Sequence, residues 1–231
     1  MTVQDSAYLK FEETINYLFR DKSLLALALM HKSYKNENQD EVEDCNERLE
    51  FLGDSVLGCA VATALFKEFT DMDEGRLSFL KSFVVSKKML ALVSSELNLG
   101  TFLKMGKGEE KSGGRTRESN LANGLEALIA AIYLDSGYSA AEEWIINKFR
   151  KHIKEGIDFY NHGAKNELQE FAQAKYSELP VYTVLKELGP EHRREYIVQV
   201  EINGKVLGKG KGPSKKEAES NAACEALEKL K

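Results

Sequence analysis

Apolar residues recur at helical spacing through most of the first 155 residues, and this half shows no period-2 alternation. The stretch LLALALMH predicts a helix, and Asp21 before it is a residue type that caps helices. Asp44 and Glu47 have the D-x-x-E spacing of a capping box, which predicts a helix that starts at about Cys45. The first half is therefore predicted to be all-α.

Glycine and serine positions divide the rest of this half. The stretch from Gly75 to Leu97 predicts two helical segments broken near Ser86, with Gly100 as a stop signal. The glycine-rich stretch Gly106–Gly114 predicts an exposed loop. Two further helices are predicted, at Asn120–Asp135 and Ala140–His152.

After Glu155 the pattern changes. The sequence GIDFYNHGAK predicts a short linker, and a helix follows from about Lys165 to Lys175. Two stretches then alternate with period 2, which predicts strands with the apolar sets Val181/Thr183/Leu185 and Tyr196/Val198/Val200/Ile202.

A hairpin and a last helix complete the chain. Asn203-Gly204 directly follows the second strand and is the strongest short hairpin signal. Ser214 and Glu217 have capping-box spacing ahead of a helix with Ala218, Ala222, Ala226 and Leu230 at spacing four. The sequence thus predicts an all-α domain over residues 1–155, a linker over 156–163, and a small α-β-β-β-α domain over 164–231.

Carboxylates interrupt two of the most apolar helical stretches. SNLANGLEALIAAIYL, from Ser119 to Leu134, carries one charge, Glu126. The apolar stretch Val56–Phe66 is entered from three acidic residues, Glu47, Glu50 and Asp54. Burying an anion costs several kcal/mol unless it is compensated or protonated, and a divalent cation compensates several converging anions at once. We interpret the two segments as two halves of one metal site.

The candidate ligands are all oxygen donors. Spacings of three and four place Glu47, Glu50 and Asp54 on one stripe of a helix, and Asn123 shares a face with Glu126. Oxygen ligands suit Mg²⁺ or Mn²⁺ better than zinc. A solvated helix face, with Arg48 as an ion-pair neighbour, explains Glu47 and Glu50 equally well, whereas the apolar surroundings of Glu126 favour a functional role.

Composition and charge narrow the class of protein. The apolar runs are shorter than the ~20 residues of a membrane span, and the N-terminus lacks a signal-peptide pattern, so no membrane partner is expected. Cys45, Cys59 and Cys224 are scattered, which predicts reduced thiols and a cytoplasmic location. The net charge of −5 divides into −6 over residues 1–163 (20 basic, 26 acidic) and +1 over residues 164–231 (12 basic, 11 acidic). A polyanionic partner therefore remains compatible with the second part.

One motif is far more specific than these patterns. NERLEFLGDS, from Asn46 to Ser55, closely resembles the signature of the ribonuclease III family. DEG at Asp73–Gly75, the KSGG…RES segment at Lys111–Ser119 and LANGLEAL at Leu121–Leu128 resemble further parts of it. The C-terminal unit resembles the family's double-stranded RNA-binding domain, so the resemblance covers essentially the whole chain.

The resemblance implies a function and a set of site residues. Family members are Mg²⁺-dependent endoribonucleases that cleave double-stranded RNA as homodimers, leave 5′-phosphate and 3′-hydroxyl ends with two-nucleotide 3′ overhangs, and mature ribosomal and other structured RNAs. It implies that Glu50, Asp54, Asn123 and Glu126 bind the metal. The catalytic residues that it implies are Asp54, Glu126, Glu47 and Glu74. The family pattern has Asp at position 123, so the neutral amide here should weaken metal binding and shift preference toward Mn²⁺.

The terminal unit supplies candidate RNA contacts. A-form duplexes are bound through their shape, 2′-hydroxyls and phosphates. Lys215 and Lys216 lie at a predicted helix N-terminus, where lysine opposes the helix dipole and a phosphate role is favoured. By resemblance, Asn166, Gln169 and His192 match positions that contact the minor groove.

Two other classes of function compete with an endoribonuclease. The first is a module that holds duplex RNA without cutting it, which the neutral Asn123 would permit. The second is a purely structural helical scaffold, which the charges in apolar helices disfavour.

Overall fold

The computed structural model describes residues 3–40, 43–189 and 194–230, and the chain divides into two compact units, Met1–Ile153 and Lys154–Lys231. The first unit is helical, and the second combines helices with one sheet, so the predicted fold class is confirmed. The helices are α1 Val3–Ile15, α2 Lys22–Ala28, α3 Lys32–Glu37, α4 Glu47–Glu68, α5 Glu74–Val84, α6 Lys87–Glu96, α7 Leu99–Phe102, α8 Lys107–Lys111, α9 Glu118–Ser136, α10 Tyr138–Tyr176 and α11 Lys215–Leu230. The strands are β1 Val181–Leu188, β2 Glu195–Ile202 and β3 Lys205–Gly212.

Helix α9 is the centre of the first unit. Most of its residues are buried, and it packs on α4, α6 and α2. Leu125, Leu128 and Ile129 are fully buried, and Ala127, Ala130 and Ala131 let the neighbouring helices approach. Helix α4 is long and apolar enough to cross a membrane by length and composition alone. Its residues Leu57, Ala60 and Val61 are instead buried in the core, as in a helix of a globular domain.

The start of α4 differs from the prediction. Asp21 does cap α2, since its carboxylate accepts a hydrogen bond from the Ser23 amide at 2.8 Å. The Asp44–Glu47 capping box is wrong, because Asn46 is the residue before the helix and Asp44 accepts from the neighbouring Cys45 amide. The Asn46 amide side chain donates instead to the carbonyl of Ala28, which ties α4 to the end of α2.

Two glycine predictions in this unit are also wrong. Ser86 does begin α6, with its hydroxyl accepting from the Met89 amide, but Gly100 lies inside α7 rather than ending a helix. Asn98 adopts the left-handed conformation there, with φ 52°. The stretch Gly106–Gly114 is largely exposed, as predicted, but it is not a loop, because it contains α8 and leads into a short 3-10 helix at Gly114–Thr116.

The predicted helix end at His152 is wrong as well. Helix α10 continues through residues 156–163, the segment predicted as a linker, to Tyr176. This segment contains no proline, and each of its glycines costs a helix only about 1 kcal/mol. The predicted domain boundaries stay predictions, and the compact units divide at residues 153 and 154.

The second unit has the predicted α-β-β-β-α order. The sheet is antiparallel in the order β1-β2-β3, and the β2–β3 turn at Asn203-Gly204 has φ 52° and 69°, as a two-residue hairpin requires. Val198, Val200 and Ile202 face the core as predicted. The face predicted for β1 is wrong: Tyr182 pairs with Val200 and packs on the core, and Val181 and Leu185 are exposed.

Glycines of β3 place α11 directly on the sheet. A Cβ on Gly208 or Gly210 would stand 2.2 or 2.1 Å from the carbonyl oxygens of Ala222 and Ala218. The alanines predicted at every fourth position of α11 thus pack against the glycines at every second position of β3. This contact fixes where the N-terminus of α11, with Lys215, lies relative to the strands.

Candidate active site and nucleic-acid interface

The candidate site lies where α4 crosses α9. Glu50 and Asp54 flank Gly53 on α4, and a Cβ on Gly53 would overlap the main chain of Glu126 on α9. Because Gly53 has no side chain, the two helices touch at this point. The part of α4 that carries Glu50 and Asp54 therefore lies against the part of α9 that carries Glu126, and the joint metal site stays a prediction.

Glu126 interacts electrostatically with both Glu50 and Asp54. Burial, followed by the negative charges of Asp54 and Glu50, raises the pKa of Glu126 to about 7, and Lys87 opposes the shift. Burial and the charge of Glu47 likewise raise the pKa of Glu50. The cluster thus holds more negative charge than its protein surroundings compensate.

Asn123 has a defined partner in this cluster. Its side-chain amide donates a hydrogen bond to the carboxylate of Glu50, which offsets part of the rise in the pKa of Glu50. An ionised aspartate at this position could not donate such a bond. The amide nitrogen faces Glu50, and the amide oxygen retains its ability to accept or to bind a cation.

Glu47 and Glu74 have weaker links to the cluster. Glu47 is exposed, forms an ion pair with Lys32 at 3.2 Å and accepts from the Cys45 thiol at 3.7 Å. Its charge still reaches Glu50. Glu74 is exposed in the first turn of α5 and accepts a hydrogen bond from Ser78 on the same helix at 2.8 Å. The catalytic roles of both residues stay predictions.

The donor set suits a divalent cation, although the side chains are not gathered tightly. Across residues 3–40, 43–189 and 194–230, no three His, Cys, Asp or Glu side chains lie close enough together to hold a metal ion. Without a bound cation the carboxylates repel one another, which favours a larger separation between them. Burial, followed by the charges of Asp54 and Glu50, raises the pKa of Glu126, and a cation would stabilise the ionised carboxylate against both effects. Carboxylate and amide oxygens are ligands for Mg²⁺ and Mn²⁺.

Sequence reasoning missed two residues of this site. Gly53 allows α4 to touch α9. The sign of this in the sequence is a glycine inside a predicted helix, where alanine would be more favourable for helix formation. Lys87, at the start of α6, is the cation that acts on both Glu50 and Glu126. No local pattern links Lys87 to residues of α4 and α9.

The predicted RNA contacts of α10 lie on one exposed face. Asn166 and Gln169 are exposed three residues apart, whereas Ala164, Leu168 and Ala172 of the same helix are buried in the core. Their side chains are therefore free to meet a partner surface. His192 lies outside the described residues, so its role stays a prediction.

Lys215 and Lys216 are exposed at the first turn of α11, as predicted. The ammonium group of Lys215 lies 3.2 Å from a carboxylate oxygen of Glu187 and 5.5 Å from the centre of the Tyr196 ring. A helix N-terminus with two lysines presents positive charge and free amide groups together. This arrangement favours binding of a phosphate group.

Comparisons with known proteins match each of the two units to a known family. A family described as ribonuclease-III-like matches residues 21–153, and the double-stranded RNA binding motif matches residues 164–230. The chain is 43% identical to Ribonuclease 3 of Syntrophotalea carbinolica, over 95% of each chain. It is 46% identical to Ribonuclease 3 of Caldanaerobacter subterraneus subsp. tengcongensis, over 95% of this chain and 96% of the relative. A solved nuclease domain of ribonuclease III from Campylobacter jejuni is similar with a TM-score of 0.57 and 41% identity, covering 62% of this chain and 95% of that one.

Proposed function

This chain belongs to the ribonuclease III family, and on this basis we propose that it is a Mg²⁺-dependent enzyme that leaves 5′-phosphate and 3′-hydroxyl ends with two-nucleotide 3′ overhangs. As a member of the family it is an endoribonuclease that acts on double-stranded RNA. The observation that carries the proposal is the electrostatic interaction of Glu126 with Glu50 and Asp54 where α4 contacts α9.

The cofactor is argued from the charge of this cluster. Glu50, Asp54, Glu126 and the amide oxygen of Asn123 would hold Mg²⁺, with Mn²⁺ able to substitute. When bound, divalent ions lower the pKa of water and stabilise charge on a departing oxygen. The high pKa of Glu126 supports this assignment, because a nearby cation would favour the ionised carboxylate that metal binding needs.

The protein's own part in hydrolysis is positioning and proton exchange. A water oxygen forms a bond to phosphorus, the bond from phosphorus to the 3′ oxygen breaks, and the 3′ oxygen gains a proton. Asp54 and Glu126 are the candidate groups to orient the water and exchange its proton. Their helices pack against each other in the core. Before a cation binds, Glu126 has a pKa of about 7 and can hold or release a proton near neutral pH.

We propose that the active protein is a homodimer. Phe51 and Phe66, on the helix that carries Glu50 and Asp54, are 79% and 73% exposed, and large apolar side chains so exposed favour contact with another protein surface. The similar nuclease domain from Campylobacter jejuni has a structurally flexible region that is involved in dimer formation. Two dimer-related sites, each cutting one strand across a minor groove, would produce the proposed overhang.

The second unit would hold the duplex. The exposed Asn166 and Gln169 would face the minor groove, and Lys215 and Lys216 would contact phosphates. We expect the substrates to be ribosomal RNA precursors and other structured transcripts, cut in the cytoplasm.

Product analysis on a defined RNA duplex tests the proposal. Incubation with Mg²⁺ should give products that carry a 5′-phosphate and a two-nucleotide 3′ overhang, and chelation of the metal should stop cleavage. A protein that binds the duplex but cuts it at no concentration of Mg²⁺ or Mn²⁺ would instead be a binding module. Blunt or 3′-phosphate ends would contradict the proposed chemistry.

A further inference from the structure

The carboxylate of Glu187 forms ion pairs with Lys215, a proposed phosphate contact, and with Arg194. One of its oxygens lies 3.2 Å from the ammonium of Lys215, and the other lies 3.7 Å from the guanidinium of Arg194. Glu187 lies near the end of β1, Arg194 directly precedes β2, and Lys215 begins α11. One acidic residue thus links three separate segments of the second unit at the point where α11 presents its N-terminus.

This ion-pair cluster is open to solvent and to a ligand. The side chains of Glu187, Arg194 and Lys215 are 43%, 40% and 57% exposed. Exposed ion pairs contribute little to stability, with typical values of ~0–1 kcal/mol, so the cluster is not needed to hold the fold. The sheet and α11 are already fixed by the glycine–alanine contact between β3 and α11.

We propose that Glu187 is a specificity-determining residue, because it competes with RNA phosphates for Lys215 and Arg194. The proposal rests on the proposed function of Lys215 as a phosphate contact. An anion that reaches Lys215 must displace the Glu187 carboxylate, so each phosphate contact there is weaker than at an unpaired lysine. A duplex makes several phosphate contacts at once, and together these outweigh the free energy needed to displace Glu187. A flexible single strand cannot align its phosphates with all of these contacts together, so it displaces Glu187 less readily.

Salt dependence gives this competition a measurable signature. Each phosphate neutralised by a cationic side chain contributes about 0.9 to the slope of log affinity against log salt concentration. While Glu187 holds Lys215, that lysine contributes less than a full contact. Glu187→Gln keeps the size of the side chain, removes the charge and frees both basic groups.

The test compares Glu187→Gln with Glu228→Gln in the full chain. Glu228 is exposed near the other end of α11, so the control removes the same charge from the same unit, away from Lys215. Affinity for a duplex and for a single strand of the same sequence is measured over a series of KCl concentrations, with EDTA present to prevent cleavage. Glu187→Gln should tighten duplex binding roughly two- to fivefold, the effect expected of one exposed ion pair. It should tighten single-strand binding by a larger factor, and it should steepen the salt slope for the duplex by up to about 0.9 for each of the two basic groups that it frees.

The outcomes separate this inference from the proposed function. If Lys215→Ala leaves duplex affinity unchanged, Lys215 is not a phosphate contact and the proposed function of that residue fails. If Lys215→Ala weakens binding while Glu187→Gln behaves like Glu228→Gln, or weakens binding, the competition by Glu187 is refuted. Agreement with the inference also requires that Lys215→Ala reduce the effect of Glu187→Gln on the slope.

Discussion

Gly53 lies so close to Glu126 that a Cβ at Gly53 would stand 1.8 Å from the main-chain oxygen of Glu126 and 2.5 Å from its carbonyl carbon. The obstacle is backbone in the centre of the core helix α9, which cannot move aside as a flexible side chain could. The close approach of the two helices, and with it the meeting of Glu50 and Asp54 with Glu126, therefore depends on a residue without a side chain.

Gly53→Ala should force α4 and α9 apart. We expect a loss of ~1–3 kcal/mol in the free energy of unfolding, the range for overpacking a core, together with loss of cleavage. Urea denaturation and a duplex-cleavage assay measure the two effects. Gly58→Ala is the matched control on the same helix, since its Cβ would meet only the Lys81 side chain at an ordinary 3.8 Å and should leave stability equal or higher. Equal behaviour of the two variants would contradict the role given to Gly53.

The metal-free protein should lose stability as the pH rises from about 4.5 to about 7. Glu126 has a folded-state pKa of about 7 against an ordinary 4.5, so between these values the folded protein binds more protons than the unfolded chain. Because Glu126 is only half-buried, solvent screening limits the loss to on the order of 1 kcal/mol. Thermal unfolding in EDTA at several pH values measures it. Glu126→Gln should flatten this part of the profile, and an unchanged profile in the variant would show that another group causes the loss.

Mg²⁺ should stabilise the protein more at pH 8 than at pH 5.5. Above its pKa Glu126 is ionised and available as a ligand, and below it a bound proton competes with the metal. Thermal unfolding with and without Mg²⁺ at both pH values provides the measurement. The Glu126→Gln variant should show a smaller shift at pH 8. A shift independent of pH would mean that Glu126 does not bind the ion.

Asn123→Asp should tighten metal binding and destabilise the metal-free protein. The change adds a negative charge beside Glu50 and removes the hydrogen bond that Asn123 donates to it, worth about 1 kcal/mol or more because the acceptor is charged. Isothermal titration with Mn²⁺ and thermal unfolding in EDTA report the two effects separately. If metal affinity stayed the same, position 123 would not contribute to the metal site.

The contact of α11 with β3 should be as sensitive as that of α4 with α9. A Cβ on Gly210 would lie 2.1 Å from the Ala218 carbonyl oxygen, so Gly210→Ala should destabilise the second unit and abolish duplex binding. Gly163→Ala is the control, because nothing lies within 4 Å of its Cβ position. Duplex binding of the full-length variants, followed together with circular dichroism, separates loss of this unit from global unfolding. Normal duplex affinity in Gly210→Ala would contradict the packing.

Local sequence signals predicted the features that depend on local physics. Glu126 was conspicuous because a charge in an apolar helix is costly anywhere. Asn203-Gly204 fixed the hairpin because its two positive φ angles are properties of those residues. The cap at Asp21 and the helix break near Ser86 are predictable because a short polar side chain reaches the end of its own helix.

Features set by distant parts of the chain were missed or misjudged. Asn46 was overlooked because its side chain serves the carbonyl of Ala28 on another helix. The face of β1 was wrong because Tyr182 fills the core and a bulge between Val184 and Lys186 changes the alternation. Gly53 could not be assigned a partner from spacing alone, since Glu126 is remote in the sequence and only the packed fold brings them together.

We propose that Glu50, Asp54 and Glu126 form one divalent-metal site and that this site cleaves double-stranded RNA. The most direct test of this claim is the single-turnover cleavage rate of a duplex by wild type and by Glu126→Gln over a Mg²⁺ titration, with duplex affinity measured in EDTA for both. We predict that Glu126→Gln binds the duplex as wild type does, yet cleaves it at least a hundredfold more slowly at saturating Mg²⁺, in the range for loss of a proton-transferring group, ~10²–10⁴-fold. A Glu126→Gln rate close to that of wild type, with the same dependence on Mg²⁺, would contradict the claim.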